Sequence, residues 1–345
     1  MFHVKQNNAP YRMFHVKHSG GCTYTEALIL AAKKKTGTGK RKKSHVVPEK
    51  KTPFWFRFVL MLSALLIIPI FIWMYLESRV VHLVHTDVPV RNLPPSFDGF
   101  NILFISDLHM CGYASPEHTM GLLEELGALN PDMLIMGGDY THTDFFGGKE
   151  REAERRESFF SMMAAFQAPF GKYCVAGNHD VELDMKTDAV LEAAAETGGV
   201  KLLRNECAYI EKDGQTIVLM GLDDWQRGTI DVRNLSKSVG KDDCVIVVSH
   251  NPDAFPRIMT EQAIGGGDWA DLMLCGHMHG GQVTFFGFKA MHAPSIYGDR
   301  YISGWYRENH TRMVVSNGVG SVSLPIRLLA PAQAHLLTLR VENDR

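Results

Sequence analysis

Seven residues of metal-ligand type fall in five short clusters along this 345-residue chain. In order they are Asp107-Leu-His109, Gly138-Asp139, Gly177-Asn178-His179-Asp180, Ser249-His250-Asn251 and Gly276-His277-Met-His279. Two divalent ions a few ångströms apart need several oxygen and imidazole ligands, one of them bridging, and an open position for a nucleophile. Asp107, His109, Asp139, Asn178, His250, His277 and His279 supply that set. Oxygen and nitrogen donors without a cysteine favour Mn²⁺, Fe or Zn²⁺ over Ca²⁺. The chemistry such a centre supports is hydrolysis of phosphate esters. Lowering the pKa of a water from 15.7 toward ~7 amounts to about 12 kcal/mol of preferential stabilisation of hydroxide, so no Ser or Cys nucleophile is required. One Gly-Asp or one histidine commonly marks a turn or a core position; the ordered conjunction carries the reading.

Something must hold these clusters together. Four of them stand directly behind short runs of β-formers, Ile102 to Ile105, Leu134 to Met136, Val245 to Val248 and Leu272 to Leu274, and the fifth follows Tyr173, Cys174 and Val175. All five can therefore lie at the carboxyl ends of buried strands, the edge where open α/β sheets bind ligands. Further strands are expected at Thr216 to Met220, Met313 to Ser316 and His335 to Leu339. Ser115-Pro-Glu-His opens a helix with a Ser cap and Pro in the first turn; Leu122, Leu123, Leu126 and Leu129 form its apolar stripe, and Asn130-Pro131 stops it. A second helix is expected over Glu150 to Phe166, with Phe159, Met163 and Phe166 on the face toward a sheet. The alternation of strand-like and helix-like pieces is that of an α/β domain.

The five clusters resemble the signature of the calcineurin-like metallophosphoesterases, and the resemblance runs from about Phe97 to Leu339. Phe97-Asp-Gly-Phe-Asn-Ile-Leu-Phe-Ile-Ser-Asp-Leu-His109 and Gly276-His-Met-His-Gly-Gly-Gln282 are most similar to its membrane-associated bacterial branch, which includes phosphodiesterases and a UDP-2,3-diacylglucosamine pyrophosphatase of lipid A synthesis. The resemblance implies a four-layer sandwich, two mixed β-sheets face to face and flanked by helices, over residues 97–345. It implies two divalent ions, manganese first among them. Asp107, His109 and His279 would hold one, Asn178, His250 and His277 the other, with Asp139 between. His179 would stabilise developing charge and protonate the leaving oxygen, and Asp180 would orient its imidazole. The histidines at 118, 142, 292, 310 and 335 match no ligand position and are read as surface or core filler. Asn317-Gly-Val-Gly320 and Leu324-Pro-Ile-Arg327 resemble a segment closing the active-site edge, and Arg327 is assigned to substrate contact; Asp223 and Asp224, after another strand, are either substrate contacts as well or solvated loop acids. Phe145 and Phe146, beyond Asp139, are expected at the mouth as guides for acyl chains. Asn317 and Ala332-Gln333 stand where the branch often has Arg and an acid, so substrate specificity does not transfer directly.

Composition divides the chain. Residues 1–57 carry 13 Lys or Arg against Glu26 and Glu49, leaving 23 basic and 36 acidic residues of the totals 36 and 38 for the remainder. A basic, disordered tail therefore precedes an acidic body. Phe58 to Leu76 contains no charge and, as a helix, reaches about 28 Å, close to the ~30 Å hydrocarbon core of a bilayer. Trp55, Trp73 and Tyr75 suit its aromatic belts. Residues 58–76 are read as a single transmembrane anchor in a bacterial inner membrane and 77–96 as a linker containing Pro89, Pro94 and Pro95. Ten basic residues from Lys33 to Arg57 precede the span, and only Arg79 and Arg91 follow closely, so the positive-inside rule puts the catalytic domain outside. Five cysteines beyond the span, with no regular spacing, are reduced core thiols rather than a disulfide framework. Reduced thiols are ordinary in a cytosolic protein and pull the other way, so the cytosolic face stays open. The basic run beside the span is a topology signal, and no nucleic-acid partner is expected. The repeated Met-Phe-His-Val-Lys at 1–5 and 13–17 leaves either Met as the start of translation.

Overall fold

The computed structural model describes residues 52–111, 114–142, 149–181, 186–286 and 289–342. The basic tail with its near-repeat, residues 1–51, lies outside them. Helix α1, Phe54–Glu77, contains the expected span and is a turn longer at its amino end. There Phe56 and Arg57 N–H donate to the Pro53 carbonyl, and Arg57 Nε donates to Thr52 Oγ1 at 2.8 Å. At ~1.5 Å per residue its 24 residues reach about 36 Å, and among them only Met74 is buried. A helix so apolar and so exposed is a candidate membrane span.

Beyond it come strand β1 (Val81–Val90), β2 (Asn101–Ile105), helix α2 (Pro116–Gly127), β3 (Met133–Met136), α3 (Lys149–Met163), β4 (Lys172–Cys174), α4 (Lys186–Thr197), β5 (Lys201–Leu202) and β6 (Glu206–Lys212). The second half holds β7 (Gln215–Gly221), α5 (Val232–Ser236), β8 (Val245–Val248), α6 (Phe255–Ile258), β9 (Leu272–Cys275), β10 (Thr284–Phe285), β11 (Lys289–Ala290), β12 (Gly304–Glu308), β13 (Thr311–Val315) and β14 (Ala332–Val341). Two six-stranded mixed sheets result, ordered β1-β14-β2-β3-β4-β5 and β12-β13-β9-β8-β7-β6. Strands β2 to β5 run parallel in the first, and β7, β8, β9 and β13 run parallel in the second.

Side-chain alternation decides the layering. Ile102 and Phe104 join Ile246, Val248, Leu272 and Leu274 in one core between the sheets. Leu103 and Ile105 point the other way, into a core with Leu123 and Leu126 of α2 and Phe159 and Met163 of α3. Val245, Val247 and Met273 face a third core with Phe255 and Ile258 of α6. The period of two thus buries both faces of each sheet and gives the four-layer sandwich. Each large side chain buried in this way contributes ~1.5–3 kcal/mol. The expected α2 cap is present, with the Ser115 hydroxyl accepting from His118 N–H at 3.4 Å. Among the described residues the cysteines are free, and Cys174, Cys244 and Cys275 are buried thiols in or beside the strands.

One expectation is overturned. The stretch 77–96 is not a plain linker, because Val81–Val90 forms β1, parallel to β14 in a ten-residue register from Val81↔Ala332 to Val90↔Val341. It is an edge strand, half exposed, and only Val88 and Val90 reach the inter-sheet core. That is also why Pro89 is tolerated: an edge strand can spare an N–H.

Candidate metal centre

The carboxyl ends of β2, β3 and β4 from one sheet and β8 and β9 from the other carry all five clusters. To turn back over those ends the backbone adopts left-handed φ at Asp107 (56°), His109 (47°), Asp139 (57°), His277 (69°) and His279 (51°). Such values are uncommon for residues with a Cβ, and they persist where surrounding structure over-determines them. Glycines supply the room. A Cβ on Gly276 would collide with the Ser106 hydroxyl and the Asp107 carboxylate, and one on Gly177 with the Asp139 carboxylate. Gly177→Ala is therefore expected to displace the Asp139 carboxylate and weaken metal binding about tenfold or more with the fold retained; metal analysis beside circular dichroism checks this.

The ligand-type atoms converge. His109 Nε2 and His279 Nε2 are 3.1 Å apart, and Asp107 Oδ1 lies 3.4 Å from His279 Nε2. On the other side His250 Nε2 is 3.2 Å from Asn178 Oδ1 and 3.2 Å from His277 Nδ1. Asp139 Oδ2 stands between the groups, 3.2 Å from His250 Nε2 and 3.5 Å from His109 Nε2. Asp107 and His109 with His279, and Asp139 with His250 and His277, form two compact metal-competent sets. His250 Nδ1–H donates to the Gly137 carbonyl at 2.7 Å, and His277 Nε2–H to the Pro294 carbonyl at 3.0 Å. These bonds leave His250 Nε2 and His277 Nδ1 facing each other, where a divalent ion that displaces the His250 proton could take both as ligands. The ring nitrogens therefore fit divalent ions.

The electrostatics of three of the four histidines agree, whereas His250 would have to give up a proton to an ion. Burial holds His109 and His279 well below the usual histidine range and His277 down at about 4, the neutral form a metal ligand needs. Burial opposes charge on Asp139 too, yet His250, with His109 and His179, holds it well below the usual carboxylate range. His250 itself, although buried, is held up at about 10 by Asp139 and Asp107. Burial and the neighbouring Asp139 push Asp107 up to about 6.

His179 belongs to neither of these two sets, although its ring groups with His109 and His142 in a third. Its N–H donates to Asp139 Oδ1 at 2.8 Å, and its ring lies in the open cleft with Asn178, Gln226, His292 and Pro294. Asp180 does not orient that ring. Its buried carboxylate accepts from Asp139 N–H at 2.6 Å, Tyr140 N–H at 3.0 Å and Gly177 N–H at 2.9 Å, and so ties the β3 and β4 loops together. The neighbour of the His179 Nδ1 atom is His142 Nδ1, at 3.2 Å. Sequence reading passed over His142 as filler; its place three residues beyond Asp139, on the same strand-end loop, was the available signal. His292 was likewise passed over and lines the cleft.

Three further assignments change. Asp223 is buried and accepts from Arg204 Nε at 3.0 Å and Thr229 N–H at 2.7 Å, while Asp224 accepts from Gln226 N–H at 3.0 Å and Arg227 N–H at 2.6 Å. Both carboxylates shape their own loop rather than face substrate. Arg327 is fully buried, and its guanidinium donates to the carbonyls of His279 (3.1 Å), Ala330 (2.7 Å), Asn317 (2.7 Å) and Gly320 (2.5 Å). From this fully buried position it braces the metal-ligand loop. Arg327→Met is expected to cost about 3 kcal/mol or more, since several buried carbonyls lose their donor, measurable by urea denaturation. Phe145 and Phe146 lie outside the described residues.

A four-layer sandwich with a two-ion ligand set at its meeting strand ends defines a dinuclear metallohydrolase. Residues 100–281 match the calcineurin-like phosphoesterase family, and the chain belongs to that family, whose members hydrolyse phosphoesters at a dinuclear metal centre. It is similar to the metallophosphoesterase YkuE of Bacillus subtilis (strain 168), 28% identical over 271 residues that cover 78% of this chain and 89% of YkuE. It is also similar to phosphodiesterase YaeI of Escherichia coli (strain K12), 26% identical over 65% of this chain and 76% of YaeI. A transmembrane protein with metallophosphoesterase domain from Danio rerio is 24% identical over 74% of this chain and 57% of that protein.

Proposed function

We propose that this chain is a membrane-anchored phosphodiesterase or pyrophosphatase whose substrate is amphiphilic. The observation that carries the reading is the convergence of seven ligand-type side chains, four of which (Asp139, Asn178, His277 and His279) line an open cleft beside His179, in a domain that follows an exposed apolar helix. Two divalent ions, manganese first, would supply the activated water and neutralise charge on the phosphoryl group. Asp107, His109 and His279 would hold one ion, Asn178, His250 and His277 the other, and Asp139 both. His179 stabilises charge at the phosphoryl oxygens and delivers a proton to the leaving oxygen. Asp180 keeps the β3 and β4 loops in register.

The specific substrate favoured by the family resemblance is UDP-2,3-diacylglucosamine, cleaved to the lipid monophosphate and UMP. A broad phosphodiesterase for cell-envelope phosphoesters is the second reading. The charge asymmetry about the span favours it, because the positive-inside rule sets the domain on the side opposite the cytosolic source of the nucleotide. Purified full-length chain with Mn²⁺, assayed on the UDP-sugar lipid and on a soluble phosphodiester, decides between them. Release of UMP at a rate far above soluble diester turnover supports the first, the reverse order the second. Inactivity of the metal-loaded chain on every phosphoester would refute both.

A further inference from the structure

The carboxyl end of α1 is fastened to the rim of the metal cleft. Arg327 N–H donates to the Met74 carbonyl at 2.9 Å, the Ser78 hydroxyl to the Pro325 carbonyl at 2.7 Å, and Ala330 N–H to Glu77 Oε1 at 3.0 Å. The same segment, 322–330, is bound on its other side to the strand leading into β10. Gln282 Nε2 donates to the Val322 carbonyl at 3.0 Å, and Thr284 N–H to the Leu328 carbonyl at 3.1 Å. Gln282, Val322 and Ser323 line the cleft that holds the metal-ligand residues. One loop thus touches the helix end and the active-site mouth together.

The outward side chains of this junction are apolar. Leu324 is 56% exposed, Leu329 52%, Phe285 59% and Phe286 82%. An exposed cluster of large apolar groups marks a surface that meets a partner or a membrane. The hydrogen bonds fix its height, because they hold the loop level with residues 74–78, the last turn of α1. At about 36 Å the helix is longer than the ~30 Å hydrocarbon core, so its last turn stands in the interfacial zone, where Trp73 and Tyr75 also belong.

We propose that Leu324, Leu329, Phe285 and Phe286 form a second membrane contact that dips into the bilayer surface beside α1, turning the metal cleft toward the lipid headgroups. The occupant of this patch is the bilayer itself, and the substrate phosphate arrives along the membrane plane. The inference rests on the reading of α1 as an anchor and deepens the proposed function.

The test uses the full-length chain in vesicles of phosphatidylcholine and phosphatidylglycerol. A polarity-sensitive fluorophore on Leu324→Cys, with labelled wild type as the blank for native thiols, is expected to shift to the blue and to be quenched by lipids brominated on the acyl chain. Emission unshifted and unquenched would overturn the proposal, whatever the enzyme hydrolyses. Phe285→Ser combined with Leu329→Ser is then expected to raise the Michaelis constant for a phosphodiester lipid in the same vesicles about tenfold. Its turnover of bis(p-nitrophenyl) phosphate should stay within about twofold of wild type. Equal losses on the two substrates, or no loss on either, would refute delivery along the membrane. Failure of the proposed function reads differently, as metal-loaded wild type that cleaves neither substrate while the label is still quenched.

Discussion

His179→Ala is expected to lower turnover roughly 10²- to 10⁴-fold on a phosphodiester with a poor leaving group while leaving metal content near that of wild type. The separation follows from the geometry. His179 N–H donates to Asp139 Oδ1 at 2.8 Å, and its ring lines the cleft outside the Asp107-His109-His279 and Asp139-His250-His277 sets, grouped instead with His109 and His142. Its imidazole can therefore be removed without withdrawing a donor from the ions. A nitrophenyl diester, whose leaving oxygen needs little protonation, should lose far less. Equal losses on both esters would reassign His179 to binding the phosphate. A parallel loss of metal would reassign it to the ligand set.

The second large effect is expected at Asp139. Asn is nearly isosteric but removes the negative charge placed between the two groups of imidazoles, 3.2 Å from His250 Nε2 and 3.5 Å from His109 Nε2. Residues that merely orient ligands typically contribute 10- to 100-fold in metal affinity, so a bridging ligand should exceed about 100-fold. Asp139→Asn should accordingly emerge from purification with less than its full pair of ions and with turnover reduced in step. Elemental analysis and steady-state rates on the same preparation check this. Two ions per chain with undiminished activity would refute the bridging role. Asn keeps an amide oxygen that can accept from His179 N–H as Asp139 Oδ1 does, so the His179 loop should stay in place and the loss of turnover should follow metal content.

How far the sequence led depended on the kind of signal. The ligand clusters were legible because each follows a short apolar run whose carboxyl end must come to a sheet edge, and Ile102 to Ile105 and Val245 to Val248 are strands as expected. The sandwich itself came through the family resemblance, since periodicity alone does not separate it from other α/β folds. Val81–Val90 was not legible, because exposed His82, His85 and Asp87 interrupt its apolar residues and leave no clean alternation. Asp180 misled through adjacency: neighbours on a tight turn point apart, and its carboxylate serves backbone N–H groups 40 and 41 residues away. Arg327 and His142 acquire their surroundings only when distant segments meet, which no local pattern records.

The pairing of β1 with β14 has a consequence for how the protein is made. Val81 must wait for Ala332, 251 residues later, before the edge of the first sheet exists. At ~5–20 residues per second of synthesis, that wait lasts about 13–50 s. During it the strand next to α1 is unpaired, while β2, β3 and β4 can already assemble among themselves. The apolar helix just ahead of it would hold that strand at one place on the bilayer until its partner emerges. A chain lacking the helix would have to find the same pairing from free solution, and should refold more slowly and lose more material to aggregation.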